Sequence, residues 1–158
     1  LALDGVLVIG SDAASRDGLA AIRFDIHSAM EIRSFLLDIR SPIPEPSIEW
    51  GMDIPDGWAT TANYIDGGVR VSGFSFGERL QPGTSNLFTL HYTVPSDYDR
   101  DQAGVVAVEA DIRDSDNNKS ALSISHGRIF VHPLNGDLNG DGRIDIRDVV
   151  MLMQRIVS

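Results

Sequence analysis

The chain has 158 residues, 42% hydrophobic and 23% charged, with no cysteine and a formal net charge of −10. Those proportions are of an ordinary globular protein with a real core. The negative balance argues against nucleic acid and anionic membrane surfaces as partners. Without cysteine there are no disulfides and no thiolate zinc sites, and no apolar run approaches the ~18 residues that would insert in a membrane. The chain opens at Leu1 rather than methionine and is read as an excised or mature piece of something longer.

Through residue 132 the dominant signal is alternation with a period of two, the mark of strands with one buried face. Ile22, Phe24 and Ile26 alternate with Arg23, Asp25 and His27, and Phe35, Leu37 and Ile39 follow with the same period. Val69 and Val71 shift phase to Phe74 and Phe76 across Gly73, which predicts a β-bulge at the glycine. Phe88, Leu90, Tyr92 and Val94 form the next apolar face, and then Val106, Val108, Ala110 and Ile112. Ala121–Ser125 and Arg128–His132, joined by His126-Gly127, read as a closing hairpin. Turn signals separate these runs at Asp17-Gly18, Asp66-Gly67-Gly68, Pro82-Gly83 and Asp114–Asn118. About nine short strands of this kind predict an all-β, two-sheet antiparallel sandwich over residues 1–132. An immunoglobulin-like or fibronectin-like sandwich would give much the same alternation.

Residues 133–158 change character. From Asp137, oxygen side chains stand at loop positions 1, 3, 5, 9 and 12: Asp137, Asn139, Asp141, Asp145 and Asp148. Calcium wants six to eight oxygens, and a 12-residue loop wraps it only by turning sharply at position 6, where Gly142 stands. Arg143 at position 7 would give its backbone carbonyl. Asp148 departs from the glutamate that EF-hands carry at position 12. A helix is predicted after the loop, from Val149 to Val157, whereas Pro133 and Gly136 argue against one before it. Ile146, Val149, Val150, Leu152, Met153 and Ile156 spread apolar surface over nearly its whole circumference, relieved by Arg147, Gln154 and Arg155. A surface helix should keep a polar face, so these residues are the candidate partner-binding set.

A calcium loop without an entering helix, with aspartate at position 12 and an apolar exiting helix, resembles one repeat of a type I dockerin. The stretch Gly136–Met153 carries the match. Dockerins pair two such repeats, and this chain has one. The order of the preceding strands resembles the cohesin family, and more loosely the carbohydrate-binding modules that share its jelly-roll sandwich. Gly18–Ile26, Phe35–Ile39 with the proline-rich Ser41–Ser47, Leu87–Tyr92, and Val106–Ile112 followed by Leu122–Val131 correspond to successive cohesin strands. The resemblance implies a jelly-roll with a half-dockerin appendage, and a non-catalytic, secreted or cell-surface assembly module with Ca2+ as structural ion. The partner would be a dockerin- or cohesin-bearing protein, or a second copy associating through the C-terminal helix.

Other groups carry less. His27, His91, His126 and His132 are scattered, and alternation puts the first two on polar faces. The glutamates offer no singled-out glycosidase pair, and no nucleophile motif accompanies the histidines. Trp50 and Trp58 flank a loop-like stretch and could either stack on a polysaccharide or close one end of the core. A carbohydrate-binding module of a polysaccharide-degrading system is therefore the second expectation. An accessory domain of a larger hydrolase is the third.

Overall fold

The computed structural model describes residues 3–132. The calcium loop 137–148 and the apolar segment 149–157 lie outside the described residues. Within them the chain is all-β, with eleven strands: β1 Gly5–Ile9, β2 Asp12–Ser15, β3 Leu19–Ser28, β4 Ile32–Arg40, β5 Ser47–Trp50, β6 Trp58–Ile65, β7 Gly68–Ser75, β8 Gly83–Thr93, β9 Gln102–Asp114, β10 Leu122–Ser125 and β11 Gly127–His132. They form two sheets, one ordered β10-β1-β3-β8-β5 and one β2-β11-β9-β4-β7-β6.

The core lies between the sheets and is built by the alternation seen in the sequence. Ile22, Phe24 and Ile26 of β3 and Leu90 and Tyr92 of β8 point in from the five-stranded sheet. Phe35, Leu37 and Ile39 of β4 and Val69 and Val71 of β7 point in from the other. A chain of aromatic rings spans the gap. Phe24 stacks on Phe88 at 4.6 Å, Phe88 lies 6.1 Å from Phe35, and Phe35 lies 6.1 Å from Trp58. Each such side chain stabilises the fold by roughly 1.5–3 kcal/mol through the apolar area it removes from water.

Three local expectations are corrected. No bulge occurs at Gly73: β4 and β7 pair without a register shift from Ser34↔Phe74 to Arg40↔Gly68. Gly73 instead keeps the inward phase, and the ring of Phe35 fills the space where a side chain would sit. Phe74 and Phe76 therefore point outward. A bulge does occur in β9, where Asp38↔Glu109 is followed by Ile39↔Ala107 and Val108 is the extra residue. It reverses the phase, so Ala103, Val105 and Ala107 face the core before it and Ile112 after it, while Val108 is 61% exposed.

The third correction concerns the last two strands, which are not a hairpin. β10 pairs in parallel with β1 in one sheet, and β11 lies between β9 and β2 in the other. The chain crosses between sheets at Gly127, opposite the crossing of the N-terminal strand at Gly10. A Cβ on Gly127 would lie 1.8 Å from the Gly10 carbonyl oxygen. The glycine read as a turn residue is there for the close approach of two backbones. Both terminal strands are thus split, which takes the number from about nine to eleven.

Candidate docking surface

The outer face of the six-stranded sheet is the surface that departs most from a solvated β-sheet. Register across β6, β7, β4 and β9 sets its side chains in four rows: Ala59, Phe74, Ser34 and Arg113; Thr61, Ser72, Leu36 and Asp111; Asn63, Arg70, Asp38 and Glu109; Ile65, Gly68, Arg40 and Val106. Residues paired across strands share a face, so these sixteen form one continuous surface.

Aromatic rings stand in the first row, and charge is densest in the third, where Arg70, Asp38 and Glu109 lie side by side. At one end Phe74 and Phe76 form an edge-to-face pair with ring centres 4.8 Å apart. They stay 45% and 78% exposed, large apolar rings left in water on a sheet face. The next row sets the Thr61 and Ser72 hydroxyls 2.8 Å apart beside Leu36 and ends in Asp111.

The third row is held by charge. Arg40 donates to both Asp38 oxygens, at 2.7 Å from Nε and 3.1 Å from Nη2, and Arg70 stands 3.5 Å away. Hydrogen bonding from Arg40 holds the Asp38 carboxyl below the usual carboxylate range, against the opposing effect of burial, with Arg70 adding to it. Arg40 Nη1 also donates to the Asp66 carbonyl at 2.8 Å, tying the β6–β7 turn to the sheet. Arg113 clamps Asp111 in the same bidentate way, at 2.9 and 3.2 Å. Such clamps fix the direction of charge on the face as well as its sign.

The opposite outer face is different. Arg23, Asp25, His27, Thr84, Glu49 and His91 occupy the middle of the five-stranded sheet. His27 lies 2.6 Å from Thr84 Oγ1, and His91 lies 2.9 Å from Glu49. Both histidines are where alternation places them, among polar neighbours. Among the described residues, only the outer face of the six-stranded sheet carries an exposed aromatic pair.

The tryptophans lie on the inner side. Trp58 is 7% exposed, packs on Phe35 and donates from Nε1 to the Glu78 carbonyl at 2.7 Å. Trp50 is half-buried, with its ring edge-on to Phe88 at 6.1 Å. Both close the core, and the Trp58 indole is not presented for stacking on a sugar. The sequence-predicted calcium ligands Asp137, Asn139, Asp141, Arg143, Asp145 and Asp148 lie outside the described residues, as do Ile146, Val149, Val150, Leu152, Met153 and Ile156. Phe74 and Phe76, central to this face, are not among the sequence-predicted site residues. The signal that identifies them is unbroken alternation from Val69 through Gly73 to Ser75, with glycine counted as an inward position.

No protein-family model matches the sequence, and no curated protein matches it. Solved structures do match the fold. A non-cellulosomal cohesin from the hyperthermophilic archaeon Archaeoglobus fulgidus superposes with a TM-score of 0.71 at 16% identity, covering 82% of this chain and 91% of that one. The Coh-OlpC-Doc435 type I cohesin–dockerin complex from Clostridium thermocellum matches at 0.69 and 17% identity, over 85% and 98%. A cohesin module from a Clostridium perfringens family 33 glycoside hydrolase matches at 0.66 and 15% identity, over 84% and 99%. The two-sheet sandwich described above is thus the fold that cohesin modules adopt.

Proposed function

We propose that this chain is a non-catalytic protein-docking module of a scaffolding assembly, and that it binds its partner on the outer face of the six-stranded sheet. The observation that carries the reading is the exposed Phe74–Phe76 pair on a face that also holds the fixed Arg113–Asp111 and Arg40–Asp38–Arg70 charge clusters. An aromatic anchor beside oriented charges is the anatomy of a specific protein interface. The fold supports it, since solved cohesins of this fold include complexes with dockerins. A dockerin-bearing protein at the cell surface or outside the cell is the partner class that this likeness suggests.

Residues 137–148 bind one structural calcium ion on this reading, through Asp137, Asn139, Asp141, Asp145 and Asp148 with the Arg143 carbonyl. Calorimetric titration with calcium should give one site per chain, and substituting Asp137 and Asp141 together by alanine should abolish it. Retained affinity in that double variant would remove the calcium assignment.

The docking face is tested by titrating immobilised chain with two-repeat dockerin modules in millimolar calcium. Wild type should capture a cognate module, and Phe76→Ala should weaken that capture by at least tenfold, about 1.4 kcal/mol, as a truncated aromatic anchor does. Capture unchanged by Phe76→Ala would place docking elsewhere. Retention on an insoluble polysaccharide with no dockerin capture would favour carbohydrate binding, and turnover by the chain alone would overturn both non-catalytic readings.

A further inference from the structure

Resting on that reading of the outer face, we infer that its occupant includes the chain's own C-terminal segment, supplied by a second copy. Residues 149–157 of one molecule dock on the Phe74–Phe76 end of the next, and calcium switches the contact on.

Position decides between self-docking within one molecule and docking between two. β11 ends at His132 and runs antiparallel to β9, with Phe130 opposite Gln102. The Phe74 row crosses β9 at Arg113. The exit of the chain and the aromatic pair therefore lie at opposite ends of the face. From Gln102 to Arg113 is on the order of 35 Å at ~3.3 Å per residue, and the three strand spacings from β11 to β7 add ~14 Å sideways. Only residues 133–136 link His132 to Asp137, five Cα steps with a reach of at most ~18 Å. Asp137 and Asp148, as first and last ligands, would hold one ion at about 2.3–2.6 Å, so a calcium-filled loop adds little length. Residues 149–157, as the helix that the sequence predicts, would add only ~14 Å, so a calcium-loaded segment falls short of the aromatic pair in its own molecule. Nothing limits its reach to another.

Composition makes the two surfaces complementary. Residues 149–157 hold Val149, Val150, Met151, Leu152, Met153, Ile156 and Val157, an apolar set that needs cover. The bare rings of Phe74 and Phe76 need the same. Charge supplies the switch. Residues 133–158 carry three arginines against four aspartates, a balance of −1, which one Ca2+ turns to +1. The preceding residues carry ten basic side chains against nineteen acidic ones. Without calcium the two parts repel, and with it they attract. A head-to-tail contact of this sort is heterologous and builds open chains or closed rings rather than a two-fold dimer.

The test is sedimentation velocity on the full-length chain in millimolar calcium and in excess chelator. Wild type should form species larger than a dimer in calcium and return to monomer in chelator. Phe74→Ser/Phe76→Ser, with a dead face, and Asp137→Ala/Asp141→Ala, with a dead tail, should each be monomeric. Mixed in equal amounts in calcium, the two should form a heterodimer and nothing larger, because one good tail meets one good face. Ala59→Arg, beside Phe74 in the same row, repeats the dead-face arm without touching the rings. Association that persists in both face variants, or a wild type monomeric in calcium, overturns the inference. A wild type that is monomeric yet captures dockerin modules through Phe76 overturns the inference alone. If dockerin capture is also indifferent to Phe76, the proposed docking face falls with it.

Discussion

Gly73 lies under the ring of Phe35, where an added methyl group would meet Cε1 at 2.8 Å and Cζ at 2.9 Å. The glycine exists to admit that ring, and the strand continues through it undisturbed. Gly73→Ala should cost about 1–3 kcal/mol by overpacking, read as a lower urea midpoint with unchanged slope. Phe35→Ala, which empties the centre of the aromatic chain, should cost about 3–5 kcal/mol. Asp38 makes a separate prediction. Its folded-state carboxyl titrates lower than in the unfolded chain, because Arg40 and Arg70 favour the charged form. Its contribution is therefore present above the ordinary value of 3.8 and is lost as pH falls through the lower folded value. Urea midpoints measured from about pH 6 down to about pH 2.5 should fall more steeply for wild type than for Asp38→Asn. Parallel curves would mean the clamp orders the face without stabilising the fold.

Strands with one wet and one dry face were legible wherever both faces had side chains to show it. β3, β4 and β8 alternate over most of their lengths, and Ile22, Phe24, Phe35, Leu37, Leu90 and Tyr92 are buried as their period requires. Legibility failed where backbone took the place of side chains. At Gly73 an absent side chain hid the phase, and with it the aromatic pair at the centre of the candidate site. At Val108 an extra residue reversed the phase, which no apolar pattern announces, since Val106 and Val108 look like core. At Gly127 a two-residue joint looked like a hairpin turn, because a one-residue passage between sheets has the same composition. Four-residue β5 is too short for alternation to be seen, and β6, at the edge of its sheet, buries only Trp58 and leaves Thr61–Tyr64 exposed, so it shows no period. Gly127→Ala tests the crossing. It should cost the upper end of the ~1–3 kcal/mol of overpacking or more, because the clash is with the Gly10 backbone. Gly104→Ala in neighbouring β9 meets nothing within 4 Å and should stay within about ±0.5 kcal/mol. Equal thermal shifts for the two would refute the close approach.

At the scale of the molecule, the two sheets divide labour. One outer face is polar throughout its middle, and the other presents an aromatic end and a clamped charge lattice. On the proposed function, interaction is confined to one side of the sandwich, and β11 ends at His132 away from the aromatic pair. The calcium site proposed for residues 137–148 should leave the sandwich itself largely indifferent to chelator. The expected outcome is that urea unfolding followed by the fluorescence of Trp50 and Trp58 changes little between calcium and chelator, while self-association changes completely. A large loss of stability in chelator would tie the ion to the fold rather than to assembly.

The split terminal strands also govern the order in which the molecule can be made. β1 is bordered by β10, and β2 has β11 as its sheet neighbour, so the first fifteen residues wait for residues 122–132 before either sheet is whole. Pairing the beginning of the chain with its end gives contacts of very long sequence separation, the arrangement that slows folding to milliseconds or seconds. A nascent chain emerging from the ribosome or a translocation channel therefore stays incomplete, with the edge of β9 open, until almost the last strand is out. Truncation before Gly127 would leave a permanent version of that intermediate, prone to pairing with its own kind.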